Sequence, residues 1–255
     1  MTPVLSRSAD GWLAGWLHPA AGGTGILIVP GGGQTRVGPH RLFVRLAEHL
    51  SQRGYPVLRL DKAGIGDSDG SARDFEANHA DLTAACSAFR EAAPGVQRIV
   101  ALGHCDGATA ATLSADLFAA LILLNPWVVD ANDYALPAAA ARAHYLRRLS
   151  QPESWKRLFS GNLDIAGALK SILVSEDKAA DGDADTLAGR VNAALSNFQR
   201  LKAIILSDRD RTADIFRARA PASLPVTRLS ADHAFSRQAE YGALLDNVDA
   251  ALTEL

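Results

Sequence analysis

Two cysteines, Cys86 and Cys105, are all that a chain of 255 residues contains. That count excludes a disulfide-stapled scaffold and a cysteine-built zinc cluster. Charge of one sign is equally scarce: 26 Lys and Arg stand against 28 Asp and Glu, for a formal net charge of −2. Interspersed in this way, the charges offer nothing to a nucleic-acid backbone or an anionic membrane surface. Apolar runs are short, and none approaches the roughly 20 residues that span a bilayer. Met1–Arg7 lacks the basic-then-apolar order of a signal peptide. A cytoplasmic location is therefore expected. Gly31, Gly32 and Gly33 lack the Gly-x-Gly-x-x-Gly spacing and downstream acid of a dinucleotide site. No cofactor and no metal are expected.

What is present is apolar substance in a regular rhythm. The chain is 48% hydrophobic, enough for one sizeable core or a core with an inserted cap. Trp12–Leu17 reads as an early strand, half of a hairpin at a sheet edge. Gly25–Val29 is a buried strand running into Pro30-Gly31-Gly32-Gly33. Leu42, Leu46, His49 and Leu50 fall at helical spacing, and that helix stops near Gly54. Tyr55–Asp61 is the next strand, followed by a turn-rich loop from Gly64 to Gly70. Phe75–Ala92 reads as helix, Arg98–Leu102 as strand, Ala108–Leu113 as helix and Ala119–Leu124 as strand. The rhythm breaks over 128–198, an Ala-, Arg- and Leu-rich block, and resumes with Lys202–Ser207, Ala213–Ala218, Val226–Leu229 and Arg237–Leu255. The expectation is an α/β fold with a mostly parallel central sheet flanked by helices. Residues 1–127 and 199–255 form its core, and 128–198 form a helical cap insertion over the active-site edge.

The chemistry centres on Gly103-His104-Cys105-Asp106-Gly107, between the strand ending at Leu102 and the helix starting at Ala108. A nucleophile raised on a sharp strand-to-helix turn needs small neighbours on both sides. Downstream come Asp210, just after a strand, and His233, after the last strand. Nucleophile, acid, histidine is one of the chain orders in which a catalytic triad occurs. Cys105 would attack an acyl carbon, His233 would hold its proton, and Asp210 would orient His233. Asp208 is a rival for the acid. An oxyanion hole would draw one N–H from Asp106, at the start of its helix. The other would come from Gly33 or Gln34, in the loop after the first core strand. Arg36 and His40 flank that loop and are candidate contacts to a substrate anion. His104 and Trp127 are candidate pocket-wall or substrate contacts, and Cys86 reads as a buried hydrophobe.

Taken together, these motifs resemble the α/β-hydrolase superfamily over nearly the whole chain. More narrowly they resemble the hydrolase (type 1) associated with the exosortase A system. The narrower likeness rests on Gly32–Gly38 with His40-Arg41, Asp61 with Gly64–Gly70, Gly103–Gly107, Leu124–Val128, Ser207–Ala213 and Ala231–Ser236. Asp208 departs from the glycine expected there, and it keeps the choice between Asp208 and Asp210 open. The resemblance implies an α/β-hydrolase fold and a cytoplasmic accessory of bacterial exopolysaccharide and protein-sorting loci. The expected substrate is a small-molecule ester or thioester, cleaved through an acyl-enzyme. Two rival functions are acyl transfer to a saccharide or carrier, and a non-catalytic scaffold on the same fold.

Overall fold

The computed structural model of the chain describes residues 1–72, 74–130, 185–200 and 202–255. Eight strands form one sheet: β1 (Thr2–Ser8), β2 (Gly11–His18), β3 (Thr24–Val29), β4 (Val57–Leu60), β5 (Arg98–His104), β6 (Ala120–Leu124), β7 (Lys202–Arg209) and β8 (Val226–Asp232). Their order across the sheet is β1-β2-β4-β3-β5-β6-β7-β8. β1 and β2 join antiparallel at one edge, and the other six strands run parallel. Among the described residues the α-helices are α1 (Leu42–Gln52), α2 (His79–Ala92), α3 (Asp106–Leu113), α4 (Leu187–Asn197), α5 (Arg211–Arg219) and α6 (Gln238–Thr253).

Central strands covered on both faces read as continuous apolar runs. Every residue of β3, β4 and β6 is buried. The two faces carry separate apolar layers. One packs Phe89 of α2, Ala111 of α3, Val191 of α4 and Phe216 of α5 against Leu27, Ala101 and Leu123. The other packs Phe43 and Leu46 of α1 and Leu244 and Val248 of α6 against Ile28, Leu102 and Ile122. α4 closes the block expected as a cap. It buries Leu187, Ala188, Val191 and Leu195 in the same layer as α3, so this helix belongs with the core. The rest of the expected cap, 131–184, lies outside the described residues.

The hairpin partner of β2 is β1, which the sequence reading leaves unassigned. Its inward positions include Ser6 and Ser8 beside Val4, so no apolar alternation announces it. Ser8 is satisfied inside by a 2.5 Å hydrogen bond to Asp81 of α2. Among the described residues, no helix is long and apolar enough to cross a membrane.

Parallel strands bring their C-terminal ends to one edge of the sheet. The loop after β3, the turn after β5, the end of β6 and the segments after β7 and β8 all meet there. An irregularity in β7–β8 pairing between Ser207 and Arg209 re-aims the last residues of both strands.

Candidate active site

Cys105 joins β5 to α3 with φ 57° and ψ −125°, a left-handed conformation that a side chain adopts only under constraint. Backbone bonds impose it: Cys105 N–H donates to Leu124 O at 2.9 Å, and its carbonyl accepts from Ala108 N at 3.1 Å and Trp127 N at 3.2 Å. The flanking glycines are steric necessities. A Cβ on Gly103 would stand 2.5 Å from Ala108 Cα, and one on Gly107 would stand 2.3 Å from Val29 O. Cys105 is half-buried, whereas Cys86 is buried on α2 with its thiol pushed up to about 11 by burial. The reading of Cys86 as a small hydrophobe holds.

His233 Nδ1 bonds Asp210 Oδ2 at 2.8 Å. Asp210 also caps α5, accepting from Thr212 N at 3.1 Å and Ala213 N at 3.2 Å. Asp208 is turned elsewhere and is bound by Arg228 at 2.6 Å. Of the two rivals, Asp210 is thus the acid that meets His233. Burial works to lower the His233 pKa, but the hydrogen bonds to Asp210 and Cys105 outweigh it and push the imidazole up to about 10. The imidazole thus keeps its proton between a cysteine sulfur and a carboxylate.

The His233 loop is itself held from several sides. His104 Nε2 donates to the His233 carbonyl at 2.9 Å, and Asn125 Nδ2 donates to the same oxygen at 3.3 Å. Asn125 further clamps Ser207, donating to its Oγ at 3.0 Å and accepting from its N–H at 2.7 Å. Asp232 accepts from Ala234 N at 3.0 Å, Ser236 N at 3.1 Å and Ser236 Oγ. Burial alone would raise its pKa, but these bonds hold it below the usual range. Glu240 Oε2 accepts from Asp232 N–H at 3.1 Å, while its other oxygen pairs with Arg209. Three non-glycine residues with positive φ, Cys105, Asn125 and Phe235, surround this one place, and such strain collects where geometry matters most.

The remaining expectations resolve unevenly. His104 is fully buried, and its ring lies with its centroid 4.6 Å from that of His233 and edge-on to Phe43. It braces the site from within and does not line a substrate pocket. Its Nδ1 faces the Gln34 side-chain amide at 3.3 Å. Gln34 N–H, expected in the oxyanion hole, closes a turn onto Gly31 O at 3.0 Å and is committed there. The expected Gly33 lies exposed in the same loop. Gly32 N–H meets the Asp106 carboxylate. Arg36, expected to greet a substrate anion, is closed by Asp61 and by Asp67 at 2.5 Å. Buried Asp61 also accepts the Arg36 N–H at 2.6 Å, so this cluster fixes two loops to each other. His40 sits exposed on a short 3-10 turn, Pro39–Arg41. Trp127 is tied to the elbow through its backbone, and its indole N–H donates to Val129 O at 2.8 Å. Glu240 lies in none of the motifs, while Asp232 and Asn125 stand inside two of them with no role that spacing alone could assign. Among the described residues, no group of three or more His, Cys, Asp or Glu could hold a metal ion.

A profile of the alpha/beta hydrolase family matches residues 26–244. Among solved structures, an esterase of Pyrococcus furiosus shares 16% identity at a TM-score of 0.65, over 99% of this chain and 90% of that one. The alpha/beta hydrolase GrgF from Penicillium sp. sh18 shares 16% at a TM-score of 0.67, over 99% and 98%. An alpha-beta serine hydrolase homologue from Coxiella burnetii shares 17% at a TM-score of 0.60, over 100% and 97%. No curated protein sequence matches the chain.

Proposed function

The chain belongs to the alpha/beta hydrolase family, and from that premise we propose that it cleaves an ester or thioester through a covalent acyl-enzyme on Cys105. The observation that carries this reading is His233, bonded to Asp210 at 2.8 Å on one side and to Cys105 on the other. The Cys105 thiolate attacks the acyl carbon, a carbon–sulfur bond forms, and the bond to the leaving oxygen or sulfur breaks. The departing group takes the proton from His233. His233, now neutral, draws a proton from the incoming acceptor as that acceptor attacks the acyl carbon. The Cys105–acyl bond then breaks and the thiolate returns.

Asp210 holds the ring and compensates its charge through both steps. The Asp106 N–H, at the N-terminus of α3, faces the negative charge that develops on the acyl oxygen. Water is the acceptor in a hydrolase; a saccharide or carrier is the acceptor in the rival reading. The motifs shared with exosortase A system-associated hydrolases favour a place beside an exopolysaccharide or protein-sorting apparatus, in the cytoplasm.

The test is a covalent one. Cys105 should take up iodoacetamide and activated acyl thioesters well ahead of Cys86, as read by peptide mass spectrometry. Cys105→Ala should abolish turnover of every acyl ester and thioester. A Cys105 no more reactive than Cys86 ends this reading. Release of the acyl group in buffer alone marks hydrolysis, while an acyl-enzyme that discharges only when a glycan is added marks transfer.

A further inference from the structure

The Gly32 N–H lies in the loop directly after β3, and its acceptor is Oδ1 of Asp106, the first residue of α3. This pair sits against the nucleophile. A Cβ on the preceding Gly31 would lie 2.8 Å from both Cys105 Cβ and Asp106 Oδ1. Cysteine, carboxylate and the Gly31–Gly32 peptide therefore share one small space. An N–H in the loop after the first core strand, beside the nucleophile, is where an acyl oxyanion finds its second donor. Gln34 N–H is committed to Gly31 O. Gly32 N–H, by contrast, is a loop N–H placed beside Cys105, and a carboxylate already holds it.

A carboxylate and an acyl oxyanion are both acceptors only, and they compete for this donor. Their charges also repel at short range. Among the described residues, no Lys, Arg or His forms an ion pair with Asp106. The positive end of α3 favours the carboxylate where it is. A neutral acyl group brings nothing to move it. An ammonium group beside the acyl carbon brings both a charge and several N–H donors.

Building on the assignment of Cys105 as nucleophile, we propose that Asp106 is a specificity-determining residue whose carboxylate holds the Gly32 N–H until a substrate with a cationic acyl group draws it away. The substrate class is an aminoacyl ester or thioester. Once the carboxylate turns to the ammonium group, Gly32 N–H is free for the oxyanion. Attack by Cys105 then follows the route already given, with the leaving group taking the His233 proton.

The test compares two isosteric N-acetylcysteamine thioesters, β-alanyl and butanoyl, each rate divided by its uncatalysed rate. Wild type should prefer β-alanyl by at least about tenfold in kcat/KM. Asp106→Ala and Asp106→Asn should both erase that preference, and Asp106→Ala, which removes the acceptor altogether, should also raise butanoyl turnover. The ceiling of that rise is the roughly 100- to 1000-fold worth of one oxyanion donor. Thermal unfolding of both variants keeps folding apart from specificity. A wild type without preference, or variants that keep it, overturns the assignment of Asp106. Turnover that survives Cys105→Ala overturns the nucleophile instead, so the two failures are told apart.

Discussion

The Nε2 of His104 donates to the backbone carbonyl of His233 across 2.9 Å, and the two rings stand 4.6 Å apart between centroids. Burial first, and then the charge of His233, holds the His104 pKa down at about 4. In the unfolded chain it titrates near about 6.5. As pH falls below that value, the unfolded chain takes up this proton while the folded protein does not. The stability contribution is therefore full above about pH 6.5 and falls away down to about pH 4. At about 1.4 kcal/mol per pH unit, it amounts to about 3 kcal/mol. His104→Gln removes the titration, so wild type should lose about 3 kcal/mol more than the variant between pH 7 and pH 4, measured by urea unfolding. His18, also held near 4 by burial and by Arg59, should leave the variant with a residual acid slope. Identical slopes in both proteins would contradict the placement of His104.

Asp210 and Asp208 stand two residues apart, and only Asp210 reaches His233. Asparagine at 210 keeps a helix N-cap but cannot compensate an imidazolium. Asp210→Asn should lower kcat/KM by at least about a hundredfold, and although the retained cap limits the loss at α5 to less than about 1 kcal/mol, the variant should also lose the stabilisation of the charged His233 at neutral pH. Asp208→Asn loses a half-exposed ion pair with Arg228, worth about 0–1 kcal/mol, and should leave the rate within about twofold. Steady-state kinetics on one thioester decides between them. A larger loss at 208 than at 210 would reverse the assignment.

The sequence made the core legible wherever burial on both faces wrote a continuous apolar run, as in Ile26–Val29 and Leu121–Leu124. β1 escaped because two of its inward positions are the polar Ser6 and Ser8, the latter bonded to Asp81, and the period of two vanished from the apolar count. That Cys105, Asp210 and His233 lie together was legible because chain order after successive parallel strands translates into one sheet edge. Choosing between Asp208 and Asp210 needed the side-chain directions set by the irregular pairing of β7 with β8. Nor could spacing show that a turn consumes the Gln34 N–H, or that Asp106 reaches back 74 residues to Gly32. Arg36 looked like a free cation from its loop, but Asp61 and Asp67 come from a different strand connection.

The reactivity of Cys105 should report the state of His233. With its pKa pushed up to about 10, His233 stays protonated across neutral pH and keeps a positive charge beside Cys105. Alkylation of Cys105 by iodoacetamide should thus stay within about twofold from pH 6 to pH 8. Replacing His233 with Asn removes the cation. Alkylation at pH 6 should then drop by about tenfold or more and climb with pH. The stabilisation from the paired His233 is full below about pH 6.5, its unfolded value, and is lost progressively as pH rises to about 10, so wild-type stability should decline from near neutrality into the alkaline range. Steep alkylation profiles in both proteins would remove the ion pair from the mechanism.

The strain at Cys105 can be weighed separately from its chemistry. Its φ of 57° and ψ of −125° suit glycine and disfavour any residue with a Cβ. Such a conformation costs about 1–3 kcal/mol and is kept by the fixed bonds to Leu124 and Ala108. Cys105→Ala and Cys105→Gly both lack the thiol and differ mainly by that Cβ. Glycine gains more entropy in the unfolded chain, which offsets part of the relief. The net expectation is that Cys105→Gly unfolds about 1 kcal/mol above Cys105→Ala, with both variants inactive on every ester and thioester. A Cys105→Gly variant less stable than Cys105→Ala would mean that the elbow carries no such strain. The position would then hold its side chain out for chemistry at no cost to the fold.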